Sequence, residues 1–203
     1  AVVPTLVGGS ADLTGSNGSA IKNSGIVGSP KVAGQAFSFA GRQMHFGIRE
    51  HAMGAVTNGM LLHGGLRPFN ATFLVFSDYM RPTIRLAALS HLPNIFIFTH
   101  DSVFLGEDGP THQPIEHHWA LRSIPNSVYF RPADGTEVAM AWAYAIQSET
   151  TPVSFGLTRQ GLPAIERPYG FDPRDIWKGG YVVRESDEPQ VILVGTGSEL
   201  HLC

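Results

Sequence analysis

Short apolar, β-branched runs alternate with stretches of helical period along most of this chain. Val2–Val7 reads as a strand. A Gly/Ser/Asn-rich segment from Gly8 to about Gly34 follows it, and a connection that long is usually functional or disordered. His45–His63 has a helical pattern, with Met53, Val56, Met60 and Leu61 on related faces, and Gly64-Gly65 stops it. Pro68–Phe73 reads as a strand, and Ser77–Ser90 as a helix closed by Pro93. Asn94–Thr99 is the next strand, Ile115–Arg122 looks helical, and Val128–Arg131 is a further strand. Thr136–Ser148 reads as a helix with Asp134 and Thr136 in its cap region, and Pro152–Thr158 as the strand after it. This alternation predicts a doubly wound parallel α/β sheet with helices on both faces.

Beyond Arg159 the pattern weakens into Pro, Gly and mixed charge, as in a linker. Gln190–Val194 then reads as a new strand, ended by Gly195-Thr196-Gly197-Ser198-Glu199. A strand and a turn do not make a domain, so a piece of a longer polypeptide is expected.

The polar residues matter most where they cluster. His100–Pro114 (HDSVFLGEDGPTHQP) follows an apolar strand and holds two His, three carboxylates, two Gly and two Pro. Such a stretch has nothing to offer a core. In an open parallel sheet, ligands bind just outside the carboxyl ends of the strands. A second cluster, GIREHAMG (47–54), heads a helix, where a Glu also suits the positive end of the helix dipole. Gly54 and Gly59 lower helix propensity there, which points to close packing. A third, FLVFSDY (73–79), bunches aromatics at a strand end; these are either core or a slot for a flat heterocycle. A fourth, Gly8–Ser16, suits a tight turn with a side-chain bond from Asp12. The fifth is Thr158-Arg159-Gln160, whose Arg is otherwise a solvated surface residue. All five fall at one edge of the predicted sheet.

Composition narrows the classes. With 43% hydrophobic and 15% charged residues and a net charge of −3, the 203-residue chain has the make-up of an ordinary globular domain. No basic surface for nucleic acid is indicated, and no apolar run is long enough to span a membrane. One cysteine, Cys203, forms no internal disulfide and suits a reducing compartment. A cytoplasmic location is expected.

In order and spacing, GSADLT (9–14), GIREHAMG, FLVFSDY, HDSVFLGEDGPTHQP and TRQGLP (158–163) resemble the pyrimidine-binding domain of the transketolase family. The resemblance implies a domain at residues 1–168, a linker at 169–189 and the start of a C-terminal domain at 190–203. It implies transfer of a two-carbon ketol unit between sugar phosphates with thiamine diphosphate and a divalent metal, Mg2+ or Ca2+. Glu50 is then the carboxyl at a ring nitrogen of the aminopyrimidine. Phe73, Phe76 and Tyr79 form the aromatic wall, and Asp12 and Leu13 lie near the cofactor. His112 contacts the substrate near the reacting carbons and shuttles protons, and Asp108 reads a hydroxyl. Ser16, His100 and Arg159 hold the sugar phosphate. The metal and diphosphate ligands belong to a separate N-terminal domain, and the site is shared between the two subunits of a homodimer. Two places depart from the family pattern: the Gly-rich run Asn17-Gly18-Ser19-Ala20, and Phe104, where a small residue is expected.

Three other readings are open. A metal-dependent hydrolase would use Glu107, Asp108, His112, His117 and His118, although their spacing does not match helical zinc motifs. A non-catalytic dimerisation domain is the second. A different thiamine-dependent transferase, such as a dihydroxyacetone synthase, is the third.

Overall fold

The computed structural model describes residues 3–34 and 37–203, so Val2 of the first predicted strand lies outside the described residues. The chain runs β1 (Leu6–Ser10), β2 (Ile26–Val27), α1 (Pro30–Ala33), β3 (Phe37–Ser38), β4 (Gln43–His45) and α2 (Glu50–His63). It continues through β5 (Arg67–Phe73), a 3₁₀ turn at Leu74–Tyr79, α3 (Arg81–Leu89), β6 (Ile95–Thr99), α4 (His117–Arg122) and β7 (Val128–Phe130). α5 (Gly135–Gln147), β8 (Val153–Leu157) and two further 3₁₀ turns, Pro173–Lys178 and Gly197–Leu202, complete it.

Among the described residues the strands form one parallel sheet in the order β3-β2-β4-β1-β5-β6-β8-β7. Burial on both faces explains the unbroken apolar run of β6, which is buried throughout. Phe96 and Phe98 pack on one face with Met53 of α2, Ile84 and Ala87 of α3, and Leu121 of α4. Ile95 and Ile97 pack on the other with Ala141 and Ala145 of α5, Val153 and Phe155. Helices therefore cover both faces, as the alternation predicts. The register brings Phe73, Thr99 and Leu157 level, so β5, β6 and β8 end together.

Local chemistry sets the element ends. Asp134 caps α5 by accepting from the Glu137 N–H at 2.9 Å, and Glu137 returns the bond from the Ala133 N–H at 2.8 Å. Asp134 is thus the N-cap at the predicted place, and Glu137 secures the residue before it. α2 starts only at Glu50, because His45 belongs to β4 and Gly47 turns the backbone to φ +66°. The segment from Ser77 splits in two: a tight 3₁₀ turn, then α3, which carries Pro82 in its first turn. α4 opens at His117, later than predicted. The long Gly8–Gly34 connection contains β2 and α1 rather than being featureless.

One expectation needs correction. Gln190–Val194 forms no strand, and Val191, Ile192, Leu193 and Val194 are exposed. A strand needs a neighbour for its N–H and C=O groups, and none lies beside this run among the described residues. Within residues 169–189 the 3₁₀ turn Pro173–Lys178 packs on α5, with Trp177 Nε1 donating to the Met140 carbonyl at 2.8 Å.

A buried polar set pins α2 to the sheet. Asn94 Nδ2 donates to Thr57 Oγ1 at 2.8 Å and to Asn58 Oδ1 at 2.7 Å. Asn70 Nδ2 donates to the same Thr57 oxygen at 3.0 Å, and Asn58 Nδ2 donates to the Thr83 carbonyl of α3 at 2.9 Å. Directional bonds of this kind fix the rotation of a helix where apolar packing alone would let it slide. The two glycines of α2 divide. A Cβ at Gly54 would overlap Thr83 Oγ1, whereas Gly59 faces open space, so close packing explains the first and not the second. Gly54→Ala is accordingly expected to destabilise the chain by about 1–3 kcal/mol. Gly59→Ala should stabilise it by about 0.5–1 kcal/mol. Urea unfolding of both variants checks the opposite signs.

Candidate functional site at the carboxyl edge of the sheet

Because the strands are parallel and end level, the loops after β1, β5, β6 and β8 meet at one edge. There Ser16, Phe73, His100, Asp108 and Arg159 line an open cavity of about 430 Å³. The four residues predicted to hold sugar phosphate or read a hydroxyl thus share one cavity, although they come from three separate segments. Its walls carry imidazole, carboxylate, guanidinium and hydroxyl groups, a set suited to an anionic polyol. Arg159 reaches Glu107 with Nη2 at 2.6 Å, an exposed pair that contributes little to stability. His100 Nε2 stands 3.9 Å from Asp108 Oδ2.

An aromatic wall rises beside the cavity. Phe73 and Phe76 stack with centroids 5.7 Å apart and planes 21° apart, and Tyr79 continues the row 5.9 Å from Phe76. The His100 ring lies on Phe73 at 4.0 Å. His112 meets both phenylalanines edge-on, at 5.9 and 5.2 Å. The 3₁₀ turn after β5 makes this possible, because it bunches residues 73, 76 and 79 on one side. Phe73 is buried whereas Tyr79 is exposed, so the wall runs from the interior to the surface.

Glu50 opens α2 and is only 6% exposed. Its Oε1 accepts a long 3.4 Å bond from Thr72 Oγ1, the residue before Phe73. A carboxylate can accept about four hydrogen bonds, so this one keeps capacity for a further donor. Asp12 and Leu13 follow β1 but are not part of the cavity lining. Asp12 takes φ +63°, and the turn is held by Ser10 rather than by Asp12: Ser10 Oγ accepts from the Leu13 N–H at 2.9 Å.

The sequence assigned no role to Asn17 or Thr99. Asn17, in the departing Gly-rich run, is buried and donates from Nδ2 to Thr99 Oγ1 at 2.6 Å. Thr99 Oγ1 in turn lies 3.0 Å from His100 Nδ1. Asn17 therefore ties the first loop to the third. Phe104, the other departure, is nearly half exposed and fills no core position. His100 itself has φ +64°. That left-handed conformation costs a non-glycine residue about 1–2 kcal/mol and persists only where surrounding contacts hold it. Burial pushes the His100 imidazole below its ordinary range, against the pull of Asp108.

The five candidate metal ligands do not converge. Glu107 pairs with Arg159, and Asp108 faces His100. His112 lies in the aromatic cluster. His118 bridges the Tyr129 hydroxyl at 2.8 Å and the Asp101 carbonyl at 2.9 Å. His117 meets Asp78 at 3.2 Å, near Glu116, and Arg81 already holds the same Asp78. Among the described residues these five therefore form no single metal centre.

Taken together, the fold and edge define an α/β domain of the thiamine-diphosphate-binding class. The description "transketolase, pyrimidine binding domain" matches residues 1–164, and the chain belongs to the transketolase family. A transketolase of Bacillus subtilis is 50% identical over 202 residues, covering 98% of this chain and 29% of that protein. One from Mycobacterium tuberculosis strain H37Rv is 49% identical over 210 residues, with 98% and 30% covered. The crystal structure of a Pichia stipitis transketolase in complex with sedoheptulose-7-phosphate superposes with a TM-score of 0.91 at 44% identity, covering 98% of this chain and 29% of that one. The chain thus spans about 30% of the length of the relatives it matches. Among the described residues no helix is long and apolar enough to cross a membrane.

Acid should loosen this edge. Burial lowers the His118 imidazole to about 4 from an unfolded value near 6.5. A depressed pKa means that the unfolded chain binds the proton first. The stabilisation is therefore complete above about pH 6.5 and is lost as pH falls towards 4. Urea unfolding between pH 7 and 4 should show that decline, with a shallower slope in His118→Gln. An identical slope in the variant would contradict the assignment.

Proposed function

We propose that this chain supplies the aminopyrimidine and sugar-phosphate side of a transketolase site. The reaction is transfer of a two-carbon ketol unit from a ketose phosphate to an aldose phosphate. The observation that carries this reading is the convergence of Ser16, His100, Asp108 and Arg159 in one cavity beside the Phe73–Phe76 wall. A phosphate suits the Arg159 fork, and the imidazole and carboxylate suit hydroxyls. The family relationship adds the substrate class.

The residues fit thiamine diphosphate. A buried carboxylate with spare acceptor capacity stands at the head of α2, and a stacked aromatic pair offers an apolar face to a flat ring. When bound, that cofactor supplies a stabilised carbanion equivalent for the two-carbon unit. Glu50 holds a proton at the pyrimidine ring nitrogen, and Phe73, Phe76 and Tyr79 orient the ring and exclude water. Leu13 and Asp12 border the same seat from the β1 loop. His112, edge-on to the wall, moves a proton at the substrate oxygens. The diphosphate and its Mg2+ or Ca2+ belong to an N-terminal diphosphate-binding domain, supplied across a homodimer interface. Residues 1–168 act as the pyrimidine-binding domain, 169–189 as the linker and 190–203 as the beginning of a C-terminal domain. A reducing, cytoplasmic setting suits this chemistry.

Purified alone, the 203-residue chain is expected to show no ketol transfer, and activity should appear on joining it to a diphosphate-binding domain. Transfer by the chain alone would contradict the half-site. In the assembled enzyme, Glu50→Gln should lower kcat by roughly 10²- to 10⁴-fold. Arg159→Leu should instead raise the KM for sugar phosphate about tenfold or more, with a smaller change in kcat. Steady-state kinetics with ketose and aldose phosphates separate the two effects. Faster turnover with formaldehyde as acceptor would favour a dihydroxyacetone synthase.

A further inference from the structure

Behind the cavity lies a buried charged clamp that the reaction itself does not use. Arg131, just after β7, donates from Nε to Asp101 Oδ2 at 2.6 Å. Its Nη2 meets Glu199 Oε2 at 2.5 Å, and its Nη1 donates to the Thr196 carbonyl at 3.2 Å. The Asp101 side chain is 1% exposed and that of Arg131 9%. Glu199 also accepts from the Val103 N–H at 3.3 Å, so one carboxylate touches both the arginine and the His100–Pro114 loop. The Gly197 N–H donates to the Arg131 carbonyl at 3.0 Å, and a Cβ at Gly197 would crowd the guanidinium. The Gly195–Glu199 turn, which stood out in the sequence without a role, therefore closes over Arg131.

Asp101 is the residue after His100. Its N–H donates to the Leu157 carbonyl at 3.2 Å, and its side chain turns inward to Arg131. His100, in the left-handed conformation, lays its ring on Phe73 in the cavity. A strained backbone persists only when its neighbours are fixed more firmly than the strain can move them. We propose that the Asp101–Arg131 pair, closed by Glu199, is the positioning device that holds His100 in its strained conformation and its imidazole in the sugar-phosphate cavity. Arg131 and Glu199 are positioning residues: they act on the ligand through Asp101 and the loop. The substrate part of this inference rests on the function proposed above.

The test uses the full 203-residue chain and the side-chain NMR signals of His100. In the parent chain the Phe73 ring current shifts the His100 ring protons upfield, with Phe73→Leu as the reference for its loss. Arg131→Met should abolish that shift and move the His100 Cα and Cβ signals out of the left-handed range, while the Ile95 and Ile97 methyl signals stay in place. Arg131→Lys should restore the shift in part, and inorganic phosphate should bind Arg131→Met about three- to tenfold more weakly. Breaking a buried pair can unfold a protein. Glu199→Gln, which leaves Asp101 and Arg131 together, is the second variant, and a smaller change in the same direction is expected. Folded variants whose His100 signals match the parent would overturn the proposal. If His100→Ala leaves phosphate affinity unchanged, the cavity reading fails, while the His100 ring shifts in the Arg131 variants still decide the device.

Discussion

The level ending of parallel strands is the constraint on which everything at this site depends. Parallel pairing of β1, β5, β6 and β8 sends the loop that follows each of them out at the same edge, and their register brings Phe73, Thr99 and Leu157 to one height. Residues far apart in sequence then need only a short reach to share a cavity. Changing the direction of any one of these strands would carry its loop to the opposite edge. The apolar residues that fix the pairing, Phe96 and Phe98 on one face and Ile95 and Ile97 on the other, are thus the remote cause of the site.

Polar contacts then turn proximity into geometry. The Thr57, Asn58, Asn70 and Asn94 set fixes α2 on the sheet, and so sets where Glu50 stands. Asn17 and Thr99 tie the β1 loop to the loop after β6. His118 and the Asp101–Arg131–Glu199 clamp hold that second loop from behind. Each is buried or nearly so, where an unsatisfied partner is costly, which makes the arrangement cooperative. Among the groups proposed to face ligand, His112 and Asp108 are half-buried and Arg159 is exposed, whereas Glu50 and His100 are buried.

Much of this was legible in the chain itself. The unbroken apolar run of β6 and the polar loop behind it show a doubly buried strand ending at a ligand edge, and Asp134 shows the start of α5. The cavity residues Ser16, His100, Asp108 and Arg159 were readable as a group only through the family resemblance. Composition alone leaves an arginine after a strand as a surface residue, which is why Arg131 was missed while the similar Arg159 was not. β2, β3 and β4 escaped because strands of two or three residues carry no period. Val191–Val194 misled in the other direction: local apolarity signals a strand but does not say whether a partner lies beside it.

The Glu50 carboxyl and the Phe73–Phe76 wall are the proposed seat for an aminopyrimidine. Carbon-13 NMR of the assembled enzyme, labelled at Glu side-chain carboxyls and Phe rings and titrated with thiamine diphosphate, tests it most directly. The Glu50 carboxyl signal and the Phe73 and Phe76 ring signals are expected to move together, with one saturation curve. Signals of these three residues that stay fixed while the cofactor binds would contradict it.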